Sequence, residues 1–421
     1  TGTGLNEAYA LKDESYSIFG TVDFAITDRL TLTGGFNYTD DKKRFSTNVV
    51  SSDVFSGINL DAPQYAPFRQ ALLVGGGVDP TTAAFLAANP TLVLPDGSSA
   101  NPLAGLKAFQ FLPPFLNVPN SVEPGRTKDN DWSWTVRLAY DLTDTVNIYA
   151  TWATGFKASS VNLSRDSRPL LSNRAALQAA GLTQVNQSYG SRFATPEQSE
   201  VFEAGLKASW ERASVNLAIF KQSIDGFQSN VFTGTGFALA NAGKQSTFGI
   251  EFEGNVRPVD PLDLFLSMTY LDPKFDSFTQ SAVGDLTGTT PAGISPITMS
   301  AGATYTQDFD NGMQLILRGD YYYESEVQVL EGLPGFIDRS GPTPNYAPAL
   351  AIGRPFRREV NQVNASVTLA LENGLEFSIW GRNLLDSKYI TQIFDSVAQS
   401  GSVSAYPNQP LTYGGTVRFK F

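Results

Sequence analysis

The sequence predicts an all-β protein, a transmembrane antiparallel β-barrel, and three observations carry that expectation. Apolar residues recur at every second position through about thirteen segments. The connections between those segments alternate between tight turns and long loops. No uninterrupted apolar run approaches the roughly 18 residues of a membrane-spanning helix. Mean hydropathy is −0.14, which does not separate a soluble protein from a barrel, because only alternate residues of a barrel strand face lipid.

The elements follow in chain order. Tyr16, Ile18, Val22, Phe24 and Ile26 share one face, and Leu30, Leu32, Phe36 and Tyr38 form the next. In "DWSWTVRLAYDL" (131–142), Trp132, Trp134, Val136, Leu138, Tyr140 and Leu142 oppose Ser133, Thr135, Arg137, Ala139 and Asp141. Val146–Phe156 repeats the pattern, as do Phe202–Trp210 with Val215–Ile219, and Phe248–Val256 with Leu262–Tyr270. Ile297–Tyr305 with Met313–Tyr323, and Val363–Leu371 with Leu375–Ile379, complete the pairs before the closing "TYGGTVRFKF" (412–421). There Tyr413, Val417, Phe419 and Phe421 face one way and Thr416, Arg418 and Lys420 the other. A soluble β-sandwich or propeller explains the alternation but not the lopsided connections.

The short connections carry turn residues: "TDR" (27–29), "TDT" (143–145), "ER" (211–212), "RPVDP" (257–261), "DNG" (310–312) and "ENG" (372–374). Long loops are expected near 46–128, 158–196, 276–295, 327–355 and 389–409. "TGTG" (233–236) reads as a tight turn joining two strands of about twenty residues each, far beyond the roughly 9–11 that a membrane requires. Within 46–128, "DPTTAAFLAANP" (79–90) predicts a short helix with Pro80 in its first turn. "LKAFQFLPPFLNVP" (106–119) is apolar for a loop and suits a lid or packing against neighbouring loops. The first thirteen residues read as the end of an outer loop. Thirteen strands is an odd number, and antiparallel closure needs an even one. The chain, which begins on Thr1, is therefore expected to be the C-terminal portion of a larger barrel, with an odd-stranded closure through one parallel seam as the alternative.

Composition excludes several functions. The net charge is −11, against the basic surface that phosphate contacts need, so no nucleic-acid partner is expected. There is no Cys and no His, which removes thiolate chemistry, the Ser-His-Asp triad and the commonest metal ligand. No enzyme activity, metal centre or cofactor is expected. "VGGGVDP" lacks the lysine of a phosphate-binding loop. Asp40 with Asp41, and Asp308 with Asp310, match no calcium-loop pattern.

Six stretches carry a resemblance to a known family: "SYSIFGTVDFAITDRLTLTGGFNYTDDKKRF" (15–45), "NIYATWATGFKASSVN" (147–162), "EQSEVFEAGLKASW" (197–210), "NAGKQSTFGIEFEG" (241–254), "GRNLLDSKYI" (381–390) and "YGGTVRFKF" (413–421). Together, in this order and spacing, they resemble TonB-dependent outer-membrane receptors, active transporters of Gram-negative bacteria. The resemblance implies a barrel of about 22 strands around an N-terminal plug. Neither the plug nor the TonB-contacting segment is in this chain. It implies outer-membrane localisation, contact with lipid and lipopolysaccharide, and coupling to TonB through the plug. It also implies that the barrel-assembly machinery reads the terminal Phe421. The implied cargo is a scarce ligand, by family default a ferric siderophore. A passive porin and a non-transporting surface receptor are the alternatives.

Candidate ligand-binding residues lie in the long loops and beside them, with Tyr322 facing the lumen near an outer rim and Asn241 inward near the top of the long hairpin. Lys157, Arg165, Arg168 and Arg192 supply cations suited to an anionic chelate. Asn241, Tyr322, Arg339 and Tyr346 add polar and aromatic groups of the kind that dominate recognition. The inward charges Asp23, Arg137, Glu203, Lys207, Glu251, Glu253, Arg318, Arg382, Arg418 and Lys420 are expected to pair with a plug or with each other.

Overall fold

A computed structural model describes the 421-residue chain except residues 1–4, 52–53, 56, 111–124, 164–174, 176–178, 180–192, 233–236, 242, 339–340, 342, 397–398 and 400. The strands are β1 (Leu5–Thr27), β2 (Leu30–Ser51), β3 (Arg126–Thr143), β4 (Val146–Lys157), β5 (Ser160–Val161), β6 (Phe193–Ala194), β7 (Glu197–Trp210), β8 (Ala213–Asp225), β9 (Gln228–Phe232), β10 (Phe237–Asn241), β11 (Lys244–Val259), β12 (Leu262–Ser277), β13 (Ile297–Asp308), β14 (Gln314–Gln328), β15 (Arg357–Ala370), β16 (Leu375–Arg382), β17 (Ile390–Asp395), β18 (Val403–Pro407) and β19 (Thr412–Phe419). Thirteen of them form one antiparallel meander, and β5–β6, β9–β10 and β17–β18 are separate ribbons inside the long connections. Within the sheet, β1 pairs only with β2 and β19 only with β16 among the described residues.

The sheet is built inside out. Trp132, Trp134, Val136, Leu138, Tyr140 and Leu142 are each at least 40% exposed, whereas the intervening Ser133, Thr135, Arg137 and Ala139 are partly covered. Register carries the apolar face across strands: Phe36 sits opposite Trp134, Tyr38 opposite Trp132, and Leu32 opposite Leu138. Tyr38 and Trp132 rings lie 4.9 Å apart and Trp132 stacks on Trp134 at 5.7 Å, contacts of about 0.5–1.5 kcal/mol each beyond simple burial. An apolar belt left open in this way is stable only against hydrocarbon.

The inner face has its own device. Tyr149, Phe220, Phe265 and Trp380 each stand directly opposite a glycine on the next strand, namely Gly205, Gly249, Gly302 and Gly414. A Cβ at those glycines would lie 2.2–2.6 Å from the ring. The rings therefore lie flat across the neighbouring backbone instead of projecting into the lumen.

Two expectations are corrected. Leu5–Asp13 is strand, not loop end, and β2 continues to Ser51, so the projecting ribbon is β1–β2. Its upper half is charged on both strands, with Lys43 bridging Asp13 at 3.5 Å and also pairing with Asp41; such a stretch lacks the apolar alternation that marks a lipid-facing strand. Conversely, the uninterrupted twenty-residue strands expected beside "TGTG" are broken. Gly226 has φ +70°, a conformation that glycine adopts without penalty. Its N–H bonds to Gly243 O at 2.9 Å, and β9–β10 leaves the main sheet there. The "TGTG" turn itself lies outside the described residues. A smaller difference is that β11 runs to Val259, through most of the "RPVDP" segment.

The close-packed core lies in the long connections. The predicted helix forms as α2 (Pro80–Ala88), with Pro80 in the first turn and the Asp79 side chain accepting from Thr81 N and Thr82 N. Hydrogen bonding by the Thr82 side chain first, and then by the N–H groups of Thr82 and Thr81, holds the Asp79 carboxyl below its ordinary range. Helix α1 (Ala66–Gly75) packs beside it through Arg69, which is 1% exposed. Its guanidinium donates to Ala87 O, Leu60 O and Ala62 O. Residues 111–119 of the apolar 106–119 stretch lie outside the described residues.

Gly302→Ala is expected to lower stability by about 1–3 kcal/mol through overpacking against Phe265. Urea unfolding in vesicles measures it, and adding Phe265→Ala should recover part of the loss. Strictly additive losses would show that the ring and the glycine do not interact.

Candidate functional site

The long-loop end of the sheet is organised by three side-chain centres, and the sequence candidates fall among them. The first joins β4, β7, β9 and β10. Lys157 pairs across the strands with Glu197 at 3.1 Å. The same carboxylate oxygen accepts from Gln228 N at 2.7 Å, and the Gln228 carboxamide donates to Ala158 O and Thr195 O. Asn241 completes the centre: its nitrogen donates to Thr195 O and Gly226 O, and its oxygen accepts from Thr195 N and Oγ1. Every hydrogen-bonding valence of the Asn241 amide is thus used to clasp the broken hairpin. Lys157 and Asn241, far apart in sequence, are brought together here.

The second centre lies at the rim of β14 and β15. Tyr322 donates its hydroxyl to Glu324 Oε1 at 2.6 Å. Arg358 holds the other oxygen at 3.1 Å and reaches Gly293 O and Thr391 O at 3.4 and 3.5 Å. The pair is mostly covered, with side chains 19% and 17% exposed. One guanidinium thereby ties two long connections to the ends of two strands.

The third centre is apolar. Phe275, Phe278, Val283, Leu286, Ile337 and Ala349 form a buried cluster with Phe227, Phe336, Tyr346 and Leu350 packed against it. Tyr346 lies over Gly284, where a Cβ would be 2.7 Å from the ring and φ is +97°. Beside this cluster Asp395, 8% exposed, accepts from Gly335 N at 2.7 Å, while its other oxygen is buried without a partner. Burial pushes its carboxyl above the ordinary range, opposed by the Gly335 hydrogen bond.

Arg165, Arg168, Arg192 and Arg339 lie outside the described residues. Sequence reading missed Gln228 and Arg358. The glycine in "DGFQSN" (225–230) and the arginines of "GRPFRREV" (353–360) at the loop–strand junction were the available signals. "GRNLLDSKYI" also proves to be architecture. Asn383, 1% exposed with φ 51°, bonds Ser387 O and Gln409 O through its nitrogen and Ser387 N through its oxygen, in the left-handed region that Asn tolerates. Inside the sheet, Arg137 and Lys207 lie over the Tyr149 ring at 4.5 and 5.5 Å, and Tyr149 donates to Glu203. Glu376 pairs with Arg418 and Lys420. Several inward charges thus engage one another.

The family described as TonB dependent receptor-like, beta-barrel, matches residues 2–384. Among solved structures, the chain is similar to the ferric yersiniabactin uptake receptor FyuA from Yersinia pestis, with TM-score 0.62 and 15% identity over 99% of this chain and 47% of that one. It is similar to the siderophore receptor PiuA from Acinetobacter baumannii, with TM-score 0.56 and 14% identity over 98% and 44%. It is also similar to the ferric-catecholate import receptor Fiu from E. coli K12, with TM-score 0.57 and 13% identity over 97% and 45%. The chain spans about half the length of these proteins, and at such identities they show the fold.

Two outcomes are expected. Asn241→Ala should cost the hairpin clasp about 1–3 kcal/mol, read as faster hydrogen exchange at residues 193–196 and 226–232 with 262–270 unchanged. For Asp395 the folded carboxyl titrates above its unfolded value, so its contribution is present at low pH and is lost as pH rises through the raised value. Protection of the Gly335 amide, corrected for intrinsic exchange, should fall from about pH 4 upward, and Asp395→Asn should flatten that dependence.

Proposed function

The chain belongs to the TonB-dependent receptor β-barrel family, and on that premise we propose that it forms the capture end and much of the wall of a transporter for a ferric chelate. It is an outer-membrane β-barrel, part of a transporter and not an enzyme. The observation that carries the reading is the family match over residues 2–384, joined to long connections that fold into braced structures at one end of the sheet. Receptors for ferric siderophores among its structural neighbours support the cargo class.

In this reading the long loops face outward and take the chelate from the medium. Lys157, Asn241, Tyr322 and Tyr346 hold the mouth in shape through the contacts above. Arg165, Arg168, Arg192 and Arg339 supply positive charge to an anionic chelate. Below the mouth, Arg318, Arg382 and Arg418 line an inner-wall hollow of about 640 Å³ with Trp380, a polar path of the kind a large barrel maintains. A plug filling the lumen moves when TonB, drawing on the inner-membrane proton gradient, pulls on it. Further strands complete the barrel at the open edges of β1 and β19, because unpaired strand edges are not tolerated in hydrocarbon.

Uptake of radiolabelled ferric siderophores by cells carrying the whole receptor tests this. Accumulation should require the receptor gene and fall to background when TonB is deleted or the proton gradient is collapsed. Accumulation that is indifferent to TonB would overturn the reading in favour of a passive pore.

A further inference from the structure

The apolar centre encloses a cavity that the cationic loops do not explain. It has a volume of about 360 Å³, within the range of roughly 300–1,000 Å³ typical of small-molecule sites. It opens where β9, the end of β12 and the loops 278–296 and 329–356 meet. Its walls include Phe227, Phe275, Phe278, Val283, Leu286 and Ile294, and no Lys or Arg lines it among the described residues. Among the described residues the one charged lining residue is Glu331. One of its oxygens accepts from Ala292 N at 3.0 Å, and it forms no ion pair among the described residues.

These walls are braced by the protein's own contacts. Phe275 and Phe278 meet edge to face at 5.0 Å. The loop between them and β13 satisfies itself: Ser281 Oγ donates to Gly284 O, Thr289 Oγ1 donates to Leu286 O, and Thr287 Oγ1 accepts from Phe278 N. Phe275 N and Leu286 N bond Thr289 O and Phe278 O. A braced loop has no need of this hollow to satisfy its own polar groups.

We propose that this cavity is the subsite for a neutral aromatic portion of the captured ligand, and that Glu331 turns anionic groups away from it. The assignment rests on the reading that the long loops capture a ligand. Ring edges and faces on the wall accept another ring in offset or edge-to-face contact. An anion placed there would lose water, would meet no cation among the described residues and only the neutral donors of Ser229, Gln245 and Ser281, and would sit beside a like charge. A chelate bound across the mouth would thus keep its charge near the loop arginines and seat a neutral ring in the cavity.

A matched pair of fluorescent probes tests the assignment: neutral N-phenylnaphthylamine and its sulfonated counterpart, anilinonaphthalene sulfonate. Each is titrated against the whole receptor purified into lipid nanodiscs, with empty nanodiscs subtracted. The expected result is saturable binding of the neutral dye that weakens by about tenfold or more in Ala282→Trp, which fills the cavity. The sulfonated dye should bind the wild type about tenfold more weakly, a difference of about 1.4 kcal/mol, and Glu331→Gln should narrow that gap. Equal binding of both dyes by the wild type, or unchanged neutral-dye binding in Ala282→Trp, overturns the proposal. If Ala282→Trp does not fold, Glu331→Gln decides, and discrimination unchanged in that variant overturns it. Uptake is not read in this assay, so a failed transport test leaves these outcomes as they stand.

Discussion

A backbone amide in hydrocarbon has no water to bond, so every N–H and C=O that crosses the membrane must find a partner within the protein. The thirteen-strand ladder answers that constraint, and much of the molecule follows from it. Once strands are paired, side chains alternate between lipid and lumen. The apolar set therefore points away from the protein, as Trp132, Leu138 and Tyr140 do. Bulky rings on the inner face then have to lie down. Tyr149, Phe220, Phe265 and Trp380 do so only because their cross-strand partners are glycines.

The same constraint displaces the core. Neither face of the sheet excludes water by packing against a second layer, so buried residues concentrate in the long connections. Arg69 is the clearest case: a cation is buried because three backbone carbonyls receive its guanidinium, which satisfies its donors and ties the last turn of α2 to the segment before α1. Asn383 does the same for the turn after β16 without charge. These connections are folded structures on the end of a ladder, held by their own side-chain and backbone bonds.

This bears on how charge at the mouth should be interpreted. Lys157, a candidate ligand group by type, and Arg358, a cation that the sequence did not single out, both engage carboxylates of neighbouring strands. Charges held in this way position backbone more than they attract a chelate. In the proposed capture role, long-range attraction would fall to cations outside these pairs, and shape selection to the apolar walls around Phe275 and Phe278.

The sequence by itself determined the thirteen strands of the main sheet, the lipid-facing residues, most of the short turns and the helix at Pro80, because each depends on local periodicity or on one turn residue. It also carried the family, through motifs whose order survives without any contact map. Only the tertiary structure decided which long ribbon projects. Charges paired across β1–β2 erase the hydropathy signal there, and one positive-φ glycine breaks the other hairpin. Only the tertiary structure joined Lys157 to Asn241 through Gln228 and Thr195, and Arg358 to two loops. Those partners lie tens of residues apart, and a side chain's role at such range is set by which strand ends the ladder brings together, a fact that no local pattern encodes.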